Sequence, residues 1–323
     1  MTGVRLSSVV AVAIALGSMA AGPRAQQPVF KSAVDAVQVD VLVTRGGRPV
    51  AGLTAADFEL RDSGVVQQVE VAALEDVPLR LLLVLDMSDS VQGEPLRQLK
   101  DAAHAAVATL RPVDRAALIT FSNVVQLRVP FSGDTPIVQK AIDDVEAGGS
   151  TSLHDVAFAA LAMRETVDGR MLVLIFTDGI DTASWPNPVT VIERARRSDV
   201  VVDGVLLKPG ENQTRDARQP LPIRPSALRS LFFEEPQLFR QEFLGALADE
   251  TGGELIVANA AGDLRATFLK IVAEFKTRYV LSYSPKNVPP SGWHPLDVKL
   301  KDKKGDIRAR RGYLRGVFAI TCR

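Results

Sequence analysis

Leu79-Arg80-Leu81-Leu82-Leu83-Val84-Leu85-Asp86-Met87-Ser88-Asp89-Ser90 is the stretch on which the fold turns. Arg80 apart, residues 79–85 are all aliphatic, with no polar face, as expected of a strand buried on both sides in a parallel sheet. Immediately downstream Pro95 opens a helical stripe of Leu96, Leu99, Ala103, Ala106, Val107 and Leu110. The alternation repeats: strand-like Ala116–Phe121 and Val124–Val129, a short helix near Ile137–Val145, and a helix at Leu153–Met163. All-aliphatic Met171–Phe176 and Val200–Leu207 follow, then helices Leu238–Ala248 and Leu264–Phe275 around a strand at Glu254–Ala258. Strands alternating with helices predict an α/β fold, a doubly wound, mostly parallel Rossmann-like sheet over residues 78–277. The Pro-rich excursion at 208–236 is a long loop within it.

Outside this span the pattern has period two. Val37, Val39, Val41 and Val43 alternate with polar residues, as do Phe58 and Leu60, and Asp62-Ser63-Gly64 marks a hairpin. Residues 26–77 therefore read as an N-terminal β segment forming a small antiparallel sheet. Tyr279, Leu281 and Tyr283, then Val298, Leu300, Ile307 and Ala309, make a C-terminal β segment of 278–323. The two segments are expected to pack as a small flanking β-sandwich-like domain, with the α/β domain inserted between them.

Residues 1–25 carry Arg5, an apolar run Val9–Leu16 and a small-residue exit, the build of a secretory signal, so the protein is expected to be exported, periplasmic or secreted. The run is too short for a membrane anchor, and no other span is apolar enough to cross a bilayer. Lys+Arg and Asp+Glu both number 38, which gives no overall pull toward nucleic acid. A single cysteine, Cys322, excludes a disulfide framework and cysteine-based metal sites. His104, His154 and His294 are far apart, so zinc on imidazoles is not expected, and any metal ligands here are oxygens.

In open α/β sheets ligands sit beyond the carboxyl ends of the strands. There the chain places Asp86-x-Ser88-x-Ser90, then Gly148-Gly149-Ser150-Thr151-Ser152 before a helix, and Thr177-Asp178-Gly179 after another buried strand. These are hard oxygen donors, which select Mg²⁺, Mn²⁺ or Ca²⁺. The D-x-S-x-S run alone is weak, arising by chance in about one chain in fifteen of this length; its position at a strand end and the matching Asp178 give it weight. Ser88 and Ser90 taken alone would read as helix caps.

Together, Asp86, Ser88, Ser90, Thr151 and Asp178 resemble the metal-ion-dependent adhesion site of von Willebrand factor type A domains. Leu53-x-x-x-Asp57-Phe58-Glu59-Leu60 and Arg311-Gly312-Tyr313 resemble an exported bacterial subgroup of that family, abundant in acidobacteria. The resemblance implies that Ser88 and Ser90 coordinate the ion directly, Thr151 directly or through water, and Asp86 and Asp178 mostly through water. Gly149, Ser150 and Gly179 would form the rim that meets the ligand.

The expected function is a metal-dependent adhesion or binding module that captures a protein or peptide through a carboxylate the partner donates to the ion. No base is poised to activate a metal-bound water, and no nucleophile elbow, phosphate-binding loop or dinucleotide fingerprint is present, so no enzyme is expected. A structural envelope component with a loop-stabilising ion is one alternative. A Mg²⁺-dependent phosphohydrolase is another, less favoured because Ser88 stands where such chemistry needs a second Asp. Ser152 and Asp155 fit a capping box, His154 reads as surface or loop packing, Asp181 lies near the rim, and Asp89 faces solvent. Basic Lys299–Arg315 reads as a solvated hairpin edge, with peripheral contact to an anionic surface the sharper alternative.

Overall fold

The computed structural model describes residues 36–72, 77–178, 181, 183–207, 238–258 and 263–316. The leader at 1–25, the loop at 208–236, Gly179 and Cys322 lie outside the described residues. Along the chain come β1 (Val37–Arg45), β2 (Arg48–Pro49), β3 (Phe58–Asp62), β4 (Val65–Gln67) and β5 (Glu70–Ala72). The α/β portion comprises β6 (Leu79–Asp86), α1 (Glu94–Ala108), β7 (Arg115–Phe121), β8 (Val125–Ser132), α2 (Thr135–Asp143) and α3 (Leu153–Ala162). It continues with β9 (Arg170–Thr177), α4 (Pro188–Arg196), β10 (Val201–Leu207), α5 (Leu238–Thr251), β11 (Leu255–Ala258) and α6 (Leu264–Lys276). The chain then returns through β12 (Tyr279–Tyr283), β13 (Gly292–Leu300), β14 (Asp306–Arg308) and β15 (Gly312–Arg315).

The central sheet runs β11-β10-β9-β6-β7-β8, parallel throughout except for antiparallel β8 at one edge. Counted from β6 and read from the β8 edge, the order is third, second, first, fourth, fifth, sixth, the doubly wound order whose direction reverses between the first strand and the fourth. Those two are β6 and β9, in register from Leu79↔Arg170 to Leu85↔Phe176. Successive β6 side chains serve opposite faces. Leu81, Leu83 and Leu85 join Leu99, Ala103 and Val107 of α1 and Phe268, Ile271 and Val272 of α6. Leu82 and Val84 join Val156 and Ala160 of α3, Val191 of α4 and Leu244 and Leu247 of α5. A strand sandwiched between two helical layers has no solvent side, which is why its sequence shows no alternation.

The terminal β segments do not make one small sheet apiece. β1 lies in an order β14-β1-β12-β5 with β2 beside it, whereas β3 and β4 lie in a second sheet, β15-β13-β3-β4. The expectation of a single sheet from 26–77 is corrected by this split. The Ser63-Gly64 turn, both residues at positive φ, joins β3 to β4, but the link from β1 to β3 crosses from one layer to the other. Val39, Val41, Val43, Phe58, Leu60, Tyr279 and Leu281 fill the space between the layers. Opposite the alternating valines, Asp40 meets Arg170 at the foot of β9, Nε to Oδ1 at 2.7 Å.

Candidate metal centre

The reversal between β6 and β9 leaves a crevice at their carboxyl ends, and the chain fills it with oxygen. Asp86, the last residue of β6, is fully buried. Its Oδ1 accepts the Ser88 N–H at 2.8 Å and its Oδ2 accepts the Thr177 hydroxyl, from the last residue of β9, at 2.6 Å. The carboxylate thereby ties the two strand ends together. Ser88 Oγ lies 3.0 Å from Ser90 Oγ, and Ser90 Oγ donates to Asp178 Oδ1 at 2.8 Å. Burial pushes the Asp86 carboxyl up to about 6; the Thr177 and Ser88 hydrogen bonds oppose the shift and the Asp178 charge adds to it.

The third loop closes on the first through the backbone. Gly148 N–H donates to Met87 O at 2.6 Å and Asp89 N–H to Gly149 O at 3.0 Å. Gly149 has φ +98°, and a Cβ there would lie 2.9 Å from Asn123 Oδ1, so this approach requires glycine. Gly149 and Ser150 are exposed at the rim, and Thr151, two residues beyond Gly149, is buried. Asp86, Ser88, Ser90 and Asp178 thus form one hydrogen-bonded group, with Thr151 on a loop stitched to it. Asp89 is exposed, and its carboxylate accepts from the Gln92 side chain.

The donor set fits a hard cation. Adjacent ligands of an octahedral ion with bonds of about 2.1 Å lie about 3.0 Å apart, which is the spacing of the Ser88 and Ser90 hydroxyls. Among the described residues no three His, Cys, Asp or Glu gather for a metal ion, so a cation here would rest on hydroxyls with two carboxylates. Capping does not account for the serines. Ser88 precedes a short 3₁₀ turn at Asp89–Val91 but makes no side-chain cap bond, and α1 is preceded by Gly93.

Around the site the sequence expectations need amendment. Ser152 does not cap α3; its hydroxyl donates to Ser122 O at 2.6 Å. The α3 amides are satisfied from the loop after β9. Asp181 Oδ1 accepts Leu153 N–H at 2.9 Å, and Ser184 Oγ accepts His154 N–H at 2.9 Å and Asp155 N–H at 3.2 Å. His154 takes the loop-packing course, its Nδ1 3.1 Å from Asp181 Oδ2 of the loop after β9 and its ring edge-on to Phe243. Burial lowers its pKa against the pull of Asp181 and Asp155. Thr177 and Ser184 are supporting residues that the local pattern does not assign, and it places Asp181 near the rim without its bond to α3, because the partners lie 28 to 91 positions away.

The basic stretch Lys299–Arg315 is largely engaged within the molecule. Lys299 pairs with Asp297, Lys303 with Asp57, Arg308 with Glu254 and Arg311 with Asp249, all at 2.6–2.7 Å. Arg310 is buried and donates to Gly312 O and Arg196 O. Among the described residues no helix is long and apolar enough to cross a membrane.

Residues 81–180 match the family model described as von Willebrand factor type A domain. The inter-alpha-trypsin inhibitor heavy chain H4 of Bos taurus is 24% identical over 164 residues, which are 47% of this chain and 18% of that protein. A Synechocystis sp. protein, sll0103, is 29% identical over 123 residues, 35% of this chain and 29% of that one. The match thus spans less than a third of either curated relative. The solved structure of a von Willebrand factor type A protein from Catenulispora acidiphila superposes with TM-score 0.51 at 13% identity, covering 85% of this chain and 74% of that one.

Proposed function

The chain carries a von Willebrand factor type A domain, and from that premise we propose that it is an exported binding module whose grip on a protein or peptide depends on a divalent cation. The observation that carries the reading is the group Ser88 Oγ, Ser90 Oγ and Asp178 Oδ1, spaced at 3.0 and 2.8 Å across two loops. Ser88, Ser90 and Thr151 would hold Mg²⁺, or Mn²⁺ or Ca²⁺, with Asp86 and Asp178 around them. Bound mainly by neutral hydroxyls, such a cation supplies uncompensated positive charge to which a partner's carboxylate can attach.

A protein-contacting rim is supported by Trp185, whose side chain is 94% exposed although its loop is held. Ala183 N–H donates to Thr151 O at 3.1 Å, and Ser184 is fixed on α3. An outward tryptophan on an anchored loop is the kind of residue that protein interfaces bury. A non-enzymatic role goes with this reading, in which Asp86 serves to tie Ser88 and Thr177 together. Export rests on the leader-like residues 1–25. Contact of the whole Lys299–Arg315 stretch with an anionic surface is the minor part of the reading, because Arg308 and Arg311 face carboxylates and Arg310 is buried.

Titration calorimetry on EDTA-stripped protein tests the site. Mg²⁺, Mn²⁺ or Ca²⁺ should bind the wild type, and Ser88→Ala/Ser90→Ala should weaken that binding by at least about tenfold. An EDTA-reversible pull-down from the producing organism's envelope then tests the role. Ion binding that raises the melting temperature, with no cation-dependent partner recovered, would transfer the protein to a structural role in the envelope.

A further inference from the structure

We propose that the open end of the β-sandwich binds an anionic amphiphile, a single acyl chain with an acidic head, at a site separate from the cation centre. β13 and β14 are consecutive yet lie in different sheets, so the turn between them, 301–305, spans the gap from one layer to the other. β14 is three residues long and pairs only with β1. The turn packs through Gly305 on Val43 and Leu300 but leaves part of this end unclosed, and a shallow, solvent-open groove of about 450 Å³ lies there.

Its floor is aliphatic. Val298, Leu300 and Ile307 pack on the sandwich core yet remain partly exposed. Lys303 and Lys304 of the turn also line it, as does Lys299, whose side chain stands on the face of β13 opposite Val298 and Leu300. Arg45 adds a guanidinium, donating from Nε at 3.1 Å and Nη2 at 2.7 Å to Lys304 O, and Arg48 pairs across from Arg45. With Lys301 these are six cations, against the five carboxylates of Asp57, Glu59, Asp297, Asp302 and Asp306. The Lys303–Asp57 and Lys299–Asp297 pairs are surface pairs, with the lysine side chains 43% and 64% exposed, and such pairs exchange partners at little cost.

The ligand class follows from this pairing of floor and rim. No aromatic ring lines the groove for a sugar or base to stack on. An inorganic anion would use the lysines and leave the floor wet. An acyl chain covers Val298, Leu300 and Ile307 while its carboxylate or phosphate meets the lysines, and the lysine stems extend the apolar wall.

The test is calorimetry of the full-length protein with monomeric dodecanoate, set against acetate and inorganic phosphate as heads without tails and dodecyl maltoside as a tail without charge. Dodecanoate should bind at least about tenfold tighter than each of the others. Ile307→Trp, which fills the floor, and Lys303→Glu/Lys304→Glu, which reverses the mouth, should each remove at least about tenfold of that affinity. The lysine double variant gives up the Lys303–Asp57 pair and is checked by its Mg²⁺ response, which should match the wild type. Equal binding of dodecyl maltoside, or dodecanoate binding indifferent to both variants, overturns the proposal. So does sedimentation with phosphatidylglycerol vesicles without dodecanoate binding, which would assign the lysines to general surface attraction.

Discussion

Asp86 couples its own protonation to folding. Its carboxyl is raised from 3.8 to about 6, chiefly by burial, so the folded, cation-free protein holds that proton more tightly than the unfolded chain does. Folding stability from this residue is then greatest below pH ~4 and falls as pH rises toward 6, by an amount on the order of 2–3 kcal/mol. Asp86→Asn should remove the slope. Calorimetric melting in EDTA across pH 4–7 should show the variant gaining on the wild type as pH rises, and Mg²⁺ should then raise only the wild type. Parallel melting curves across that range would refute the assignment. Asp62 behaves oppositely. Burial would raise it, but hydrogen bonds from Tyr313, His294, Tyr283 and Ser63 together hold it below its ordinary value. Its contribution is present above pH ~4 and lost as pH falls further. Asp62→Ala strands the buried Tyr283 and Tyr313 hydroxyls and His294 Nδ1, and urea unfolding at pH 7 should register a loss of at least about 3 kcal/mol. Both aspartates end a strand in the sequence, but only Asp86 announced chemistry there, through the spaced hydroxyls after it. Asp62 was legible only as a turn residue, because its partners come from strands more than 220 positions later.

At the scale of elements, legibility followed periodicity and stopped at termini. The stripe of α1 and the aliphatic runs of β6, β9 and β10 show in sequence because each is determined by its own side chains against a neighbouring layer. The α3 cap does not, since Ser152 and Asp155 satisfy the local capping pattern while the bonds come from Asp181 and Ser184. The same competition separated β1 from β3, where alternation fixes a strand's faces but not the layer it joins. The cap makes a discriminating prediction. Asp181→Ala should cost about 1 kcal/mol or somewhat more, with a parallel loss of cation affinity, because the α3 N-terminus follows directly on Thr151. Asp155→Ala, which loses only a long 3.4 Å contact to Trp185 N–H, should sit within about 0.5 kcal/mol of wild type. Equilibrium denaturation of the two variants decides the matter, and equal losses would restore the capping box.

For the whole molecule the question is whether the α/β portion stands alone. Its two core clusters, one on each face of the central sheet, draw every buried member from between Leu79 and Phe275. The sandwich cluster draws none from that span. Leu42 and Val280, however, are buried on the faces of β1 and β12 opposite the sandwich core, so excision uncovers some apolar surface; residues 78–277 are nonetheless expected to fold and to keep the cation response. Charge crosses the boundary as well. Arg170 is buried, its guanidinium lies over Phe275, and its acidic partner is Asp40 of β1. Arg278, also buried, reaches back from the start of the return segment to Gly252 O at 2.7 Å. Excision leaves Arg170 with the Phe275 carbonyl as acceptor and without its carboxylate, and breaking a buried pair from one side costs about 3–5 kcal/mol where water cannot enter. Here excision uncovers the site and water repays part of that cost. The fragment should thus be monodisperse, respond to Mg²⁺, and melt well below the full chain. Asp40→Ala in the full chain should reproduce much of the deficit while leaving Mg²⁺ affinity unchanged. An aggregated fragment, or an Asp40→Ala protein that loses its cation response, would mean that the sandwich shapes the metal centre as well as stabilising the strand beneath it.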